Sequence, residues 1–319
     1  MKAALVVSPD RPPSLGDIDV PRATEGLVVA TMAAAAVSPR ARSGAAGTHY
    51  TSRPDGGPQV AGIDGVGALP DGTRAYVLAL DGPIGTMAEQ CLVDPRLCVP
   101  VPDGADSVAV AGGMIAGISS WAALHLRAPL QPGQDVLVLG ATGVAGNLAV
   151  QIAKAMGAGR VVAAGRDAQR LAALTDRGAD ALISLSGPQD EIAAALSEEA
   201  RNVDIVLDYL WGPVTELAMG AILRSRDRDD HTLRWVEIGS KAGRAISVPS
   251  AALRSRDLRL LGSGQGSIGT AALLGLMPDL MAAIADGTIV VDTTAIPLAE
   301  VEARWNTAND DGSRTVFTL

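Results

Sequence analysis

The chain has 319 residues, 48% of them apolar and 19% charged, which is ample for the cores of two domains and too apolar for disorder. Its formal charge of −9 argues against a nucleic-acid partner. Two cysteines, Cys91 and Cys98, rule out a disulfide framework or a four-cysteine zinc lobe, and read as two buried thiols in a reducing compartment.

In chain order, the apolar stretch Ala3-Ala4-Leu5-Val6-Val7 is too short for a signal-peptide core and predicts a first strand. The run 27–37 falls well short of the ~18–20 residues of a membrane span. No membrane is expected as a partner, and the expected location is cytoplasmic. Short strands are expected at 26–32, 67–69, 73–80 and 89–93, divided by turn signals such as Pro54-Asp55-Gly56-Gly57 and Pro70-Asp71-Gly72. A helix is expected over 107–126.

Beyond Pro129 and Gly133 the pattern becomes a strict alternation. Strands are expected at 135–139, 160–164, 181–184, 204–207 and 233–238, and helices at 147–156, 168–177, 190–199 and 214–223. Continuous Val, Ile and Leu runs between helices predict a parallel sheet covered on both faces. The mixed-charge run 224–231 predicts a solvated loop. A last strand is expected at 258–261 and a helix at 271–285, and the tail returns to strands at 289–291 and 315–319. The fold class is therefore α/β, a β-rich domain joined to a doubly wound parallel sheet.

The first strand of the alternation runs into Gly140-Ala141-Thr142-Gly143-Val144-Ala145-Gly146 and then into a helix. Against the pattern G-x-G-x-x-G, Ala141 replaces the first glycine, while Gly143 and Gly146 keep the second and third. The middle glycine lets a pyrophosphate approach the backbone, and the third lets the helix pack closely on the strand. The helix start supplies free amides and a partial positive charge to a diphosphate. Thr142, Gly143, Val144, Ala145 and Gly146 are thus candidate dinucleotide contacts. At the end of the next strand, where an acidic residue would hold the ribose 2′-hydroxyl of NAD, stand Gly165 and Arg166. Glycine leaves room for a 2′-phosphate and a guanidinium pairs with it, with Arg170 one helical turn further on; NADPH is the expected cofactor. The competing reading makes Arg166 a solvated loop residue and gives the ribose to Asp167.

Several ordered motifs accompany this turn. Pro58-Gln59-Val60-Ala61-Gly62-Ile63-Asp64-Gly65-Val66-Gly67 resembles a proline-to-glycine signature, P-x-x-x-G-x-D-x-x-G. Gly85-Thr86-Met87-Ala88-Glu89 is similar to a G-[ST]-x-A-E segment. With the helix around 113–124 and the unit 133–157, they make the whole chain resemble the medium-chain dehydrogenase/reductase superfamily, in its zinc-independent quinone-oxidoreductase branch. The resemblance implies a GroES-like catalytic domain, 1–115 and 266–319, around an inserted Rossmann domain, 116–265. It also implies a homodimer paired through the strand at 258–261. Zinc-dependent members place metal ligands at positions that here hold Val37, Ile63-Asp64 and Ile115, so no metal is expected.

The resemblance further points to Ser119, to Ile238, Gly239 and Ser240, and to Leu207, Asp208 and Tyr209 as lining the cofactor. Tyr209 is equally well read as packing beside a strand end. Tyr50, in Gly47-Thr48-His49-Tyr50-Thr51, stands where related enoyl reductases carry a tyrosine that donates a proton or holds a carbonyl, and His49 would pair with it; the competing reading has Tyr50 anchoring a loop and His49 exposed to solvent. Arg40 or Arg42, if it faces inward, would favour a carboxylate or a thioester carrier phosphate, or would simply decorate the rim. The expected activity is zinc-free, NADPH-dependent hydride transfer to a small electrophilic molecule, a quinone or an α,β-unsaturated carbonyl. An enoyl-thioester reductase and a non-catalytic NADPH-binding redox sensor are the alternatives.

Overall fold

The computed structural model describes residues 1–50, 59–79, 84–227 and 231–319. The turn read at 54–57, Thr51, Pro58 of the signature, Leu80 and the part of the charged run at 228–230 lie outside these residues. Residues 1–116 supply β1 (Lys2–Leu5), β2 (Ser14–Asp17), β3 (Val28–Ala36), α1 (Pro39–Ala45), β4 (Asp64–Ala68), β5 (Arg74–Leu78), β6 (Gln90–Val93), β7 (Val99–Pro100) and the start of α2 (Ser107–Ala122). Next come β8 (Asp135–Leu139), α3 (Val144–Ala155), β9 (Arg160–Gly165), α4 (Ala168–Ala173), β10 (Ala181–Ser184), α5 (Gln189–Glu199) and β11 (Ile205–Asp208). They are followed by α6 (Gly212–Ser225), β12 (Leu233–Glu237), α7 (Ser250–Ser255), β13 (Leu258–Gly262) and α8 (Thr270–Ala285). The chain ends in β14 (Thr293–Pro297), α9 (Val301–Arg304) and β15 (Arg314–Thr318).

Contacts divide the chain into Met1–Ala116 with Met277–Leu319, and Gly117–Leu276. The division falls within α8, between Leu276 and Met277, where residue 266 was expected.

The first unit is built on a mixed sheet in the order β14-β15-β3-β4-β5-β7, with β6 also paired to β3, and β1 and β2 form a separate antiparallel pair. Strand β3 extends past the expected 26–32 through its alanines, because small side chains let it pair with both β4 and β15. Helix α1, absent from the sequence reading, follows Ser38-Pro39: the Ala41 amide donates to Ser38 Oγ at 3.0 Å and proline takes the first turn. The expected strand at 289–291 is not formed. The Ile289 amide instead donates to Ala283 O at 2.8 Å, closing α8, and the strand begins at Thr293. Of the two thiols, Cys91 is buried and Cys98 half-buried. Burial pushes Cys91 up to about 12 and Cys98 up to about 11, so both rest as neutral thiols.

The helical run 107–127, which ends in a π turn at 123–127, is long and apolar enough to cross a membrane by length and composition. Its most apolar stretch is 72% buried inside the protein, which is how a core helix satisfies the same test.

The second unit is a six-stranded parallel sheet in the order β10-β9-β8-β11-β12-β13. Counted from β8 this is 3-2-1-4-5-6, the doubly wound arrangement of dinucleotide-binding domains, with its switch point between β8 and β11. Val136 to Leu139 and Ile205 to Leu207 are fully buried, as a sheet covered on both faces requires. In the described part of the charged run, Arg226 is not solvated: it is 3% exposed, and its guanidinium donates to Val203 O (2.8 Å), Arg201 O and His231 O. An arginine whose fork matches several carbonyls serves as the brace of that loop.

Candidate active site

Strand β8 ends at the turn Gly140–Gly146, and α3 begins at Val144 with Gly143 as its N-cap and no side-chain cap. The amides of its first turn therefore face outward without a side-chain acceptor. The glycines of the turn divide their work. A Cβ on Gly146 would stand 2.2 Å from Gly140 O, so this position is glycine for the sake of the fold. A Cβ on Gly143 would meet only Gly140 O, at an ordinary 3.5 Å, and the residue is exposed. Nothing in the fold of the turn itself requires glycine at 143.

The next strand end differs from its sequence reading. Gly165 is buried, and a Cβ on it would lie 2.4 Å from Thr142 Cγ2. The space read as room for a 2′-phosphate is filled by Thr142. Arg166 is exposed. Asp167 caps α4, accepting from the Arg170 amide at 3.0 Å, and its carboxylate lies 3.3 Å from Arg170 Nε. The alternative that gives Asp167 to a ribose thus meets a carboxylate committed to its own helix. Arg170 is half-buried and shares that pairing.

At the end of β11 the structure corrects two candidates. Leu207 and Asp208 are fully buried, so neither side chain can reach a cofactor. Asp208 is saturated from within: Thr215 Oγ1 donates at 2.6 Å, Trp235 Nε1 at 2.8 Å, the Leu210 amide at 2.9 Å and the Trp211 amide at 3.0 Å. It holds the turn into α6, where Trp211 has a φ of 54°, the one non-glycine residue with positive φ among those described. Trp235, Thr215 and Arg226 escaped the sequence reading because their partners are set by sheet order, not by spacing.

Tyr209 and Ser119, assigned separately from the sequence, come together with Tyr209 Oη 3.1 Å from Ser119 Oγ. Burial pushes the Tyr209 phenol up to about 12, with Ser119 and Ser120 opposing, so it rests protonated. The amides of Ile238 and Gly239, just past β12, donate to Asp208 O at 2.8 and 3.1 Å, and Ser240 beyond them is exposed. Tyr209, Ile238, Gly239 and Ser240 therefore line the carboxyl edge of the sheet beside the glycine turn.

In the first unit Tyr50 is 71% exposed, and its ring lies 4.2 Å from that of His49. Burial, with the charge of Arg40, holds His49 down at about 4, so its imidazole is neutral near pH 7. Val37 and Ile63 share one buried apolar cluster, against which Ile115 packs. Val37, Ile63 and Ile115 carry no atom that could hold zinc, and Asp64, the fourth position, is a single fully buried carboxylate bonded to Tyr76, so the residues do not fit that metal.

Residues 145–272 match the family described as zinc-binding dehydrogenase. Over 315 residues the chain is 28% identical to a probable NADPH-dependent quinone reductase, TdiC, of Emericella nidulans, covering 86% of each chain. It is 31% identical to a 235-residue segment of the polyketide synthase GfsB of Streptomyces halstedii, covering 70% of this chain and 4% of that protein. Its structure matches the quinone oxidoreductase of Thermus thermophilus, solved also with NADPH, at a TM-score of 0.81 and 27% identity over the full length of both chains.

Proposed function

For a chain that belongs to the medium-chain dehydrogenase/reductase superfamily, in its quinone-reductase-like branch, we infer an NADPH-dependent oxidoreductase of quinones or α,β-unsaturated carbonyl compounds. The observation that carries the reading is Gly143, a glycine with no internal reason to be one, placed at the uncapped start of α3 beside the switch point of the sheet. When bound, NADPH supplies a hydride. The α3 amides and Gly143 hold the diphosphate, and Thr142, Val144, Ala145 and Gly146 shape the turn around it. Arg166, exposed beyond β9, pairs with the 2′-phosphate, with Arg170 behind it. Tyr209 and Ser119, with the strand-end residues Ile238, Gly239 and Ser240, shape the edge on which the cofactor lies. Tyr50 supplies a proton to the reduced acceptor, with the neutral ring of His49 tilted beside it, 4.2 Å away.

Apolar side chains at 37, 63 and 115 support a zinc-independent reaction, in which a substrate's developing charge is met by hydrogen-bond donors instead of a Lewis acid. Pairing of two copies through β13 and a cytoplasmic location complete the reading.

Titration with NADPH and NADH by fluorescence, followed by phenanthrenequinone, cyclohexenone and a crotonyl thioester, tests it. The thioester is included because of the likeness to a polyketide synthase segment. Preferential NADPH binding and acceptor-dependent oxidation are expected; binding without turnover of any acceptor would leave a sensor instead. Arg166→Ala should weaken NADPH roughly tenfold or more and spare NADH, and an equal effect on both would remove the 2′-phosphate contact. Tyr50→Phe should lower turnover with NADPH affinity unchanged, and full activity of this variant would remove Tyr50 from the reaction.

A further inference from the structure

The amino edge of the parallel sheet in the second unit, opposite the edge that carries the glycine turn, holds a cleft of about 350 Å³. Among the described residues its lining is wholly polar: Gln134, Asp204, His231, Thr232, Arg234 and Arg259. Gln134 precedes β8, Asp204 precedes β11, His231 and Thr232 precede β12, and the two arginines stand near the starts of β12 and β13. Arg234 and Arg259 are register partners on these parallel strands, so their side chains leave the same face of the sheet. Two like charges held side by side repel, and an anion between them relieves that repulsion.

The walls of the cleft are held by the chain itself. Arg234 donates from Nη1 to Pro129 O at 2.9 Å and from Nη2 to Gln134 Oε1 at 2.8 Å, both neutral acceptors, and among the described residues no carboxylate touches it. Burial holds its guanidinium below the ordinary range, Asp204 opposing and the charge of Arg259 adding. Arg259 is 60% exposed and reaches Asp257 only at 3.3 and 3.4 Å, while Asp257 also takes the Thr232 hydroxyl. Asp204 is buried: its Oδ2 accepts from the Asp135 amide at 2.8 Å, and its Oδ1 stands 3.9 Å from His231 Nδ1. Arg226 fixes the backbone there by donating to His231 O at 3.2 Å. The cleft thus sets two cationic forks beside one carboxylate oxygen able to accept a further hydrogen bond.

We propose that Arg234 and Arg259, with Asp204 beside them, form a binding site for a phosphate group, carried as orthophosphate or at the end of a small phosphomonoester. The guanidinium forks match phosphate oxygens, and a phosphate that keeps one proton donates it to Asp204 Oδ1. Sulfate has no proton to give and would set a bare oxygen against that carboxylate, so the same residues select against it. The site goes beyond the reductase reading and does not depend on it, because it lies at the edge of the sheet away from the glycine turn and is read without turnover.

The experiment titrates the intact chain with orthophosphate, glycerol 3-phosphate and sulfate by calorimetry, with NADPH present in excess to fill the dinucleotide's own phosphate contacts. It is run at about pH 6, where a phosphate group still carries a proton part of the time, and at an ionic strength held constant with chloride. At least one phosphate probe should bind, and sulfate should bind roughly tenfold or more weakly. The tighter of the two phosphate probes identifies the free ion or the ester as the ligand. Arg259→Gln, at an exposed position, should weaken phosphate roughly tenfold or more. Asp204→Asn keeps an oxygen for the Asp135 amide and offers the cleft a donor, so it should strengthen sulfate and narrow the selectivity. Should Asp204→Asn fail to fold, Arg259→Gln decides. Should NADPH itself not bind, the same variant still decides, because phosphate held at the glycine turn would ignore a change at 259. No binding of either phosphate probe, equal binding of phosphate and sulfate, or unchanged phosphate affinity in Arg259→Gln would overturn the proposal.

Discussion

Thr142 closes over Gly165: a Cβ at 165 would lie 2.4 Å from Thr142 Cγ2 and 2.9 Å from its Oγ1. The glycine turn after β8 and the end of β9 are therefore one packed unit, further joined by the Gly140 and Ala141 amides, which both donate to Ala164 O at 2.9 Å. Gly165→Ala should cost about 1–3 kcal/mol by forcing the Thr142 side chain out of its place. Because the obstacle is that side chain, Thr142→Ala in the same chain should restore most of the loss. Thermal or urea unfolding of the two single variants and the double variant reads the coupling, and additive losses would show that the two residues do not compete for one space.

The two retained glycines of the turn should fail in opposite ways. Gly146→Ala sets a methyl 2.2 Å from Gly140 O and 2.7 Å from Ala141 Cα, both backbone atoms that cannot swing aside. It should cost several kcal/mol, at the upper end of overpacking penalties. Gly143→Ala meets nothing closer than 3.5 Å and should leave Tm nearly unchanged while weakening NADPH binding. Differential scanning calorimetry beside fluorescence titration separates the two. Normal NADPH affinity in Gly143→Ala would mean that the dinucleotide does not press on this turn.

Asp208→Asn tests a residue reassigned from cofactor contact to support. The carboxylate takes four hydrogen bonds, from two backbone amides, a threonine and a tryptophan. An amide presents a donor to one of these donors and leaves a buried group unsatisfied, which should cost about 1–3 kcal/mol. Trp211, held at a φ that non-glycine residues avoid, depends on the same carboxylate. The loss should appear in unfolding of the chain without cofactor. An effect seen only on NADPH affinity would return Asp208 to the cofactor.

How far these features can be read in advance follows from their range along the chain. Strand β8 lies at the expected residues, because a buried parallel strand is written as an unbroken apolar run between helices, and the more exposed edge strand β10 lies at its expected residues too. Strand β3 outruns its expected length because alanine carries no strand signal of its own. The segment 289–291 mimics a strand because apolar residues at a helix end look the same as a short strand, whereas β14 begins with two threonines. In the candidate site, Gly143 and Gly146 are legible because a strand–turn–helix motif and the packing of a helix on its strand act within a few residues. The Asp208–Trp235 bond and the Asp64–Tyr76–Arg314 cluster are not, since their residues meet only once strand order and register are set.

Asp64 should also report on pH. Burial outweighs the Tyr76 hydrogen bond and the charges of Arg314 and Arg40, raising its carboxyl from 3.8 to about 6. A raised carboxyl holds a proton in the folded chain that the unfolded chain gives up. Its contribution to stability is therefore full below 3.8 and is lost as the pH rises through about 6. For this group alone the change is about 3 kcal/mol. Surface carboxylates such as Asp17 and Asp94, held low by Lys2 and Arg96, run the other way and lose stability as the pH falls. The informative quantity is thus the stability of the chain minus that of Asp64→Asn, in which the surface groups cancel. Urea unfolding from about pH 4 to about pH 7 should show this difference falling as the pH rises. A difference that rises over the same range would mean that Arg314 and Arg40 outweigh burial and hold Asp64 ionised.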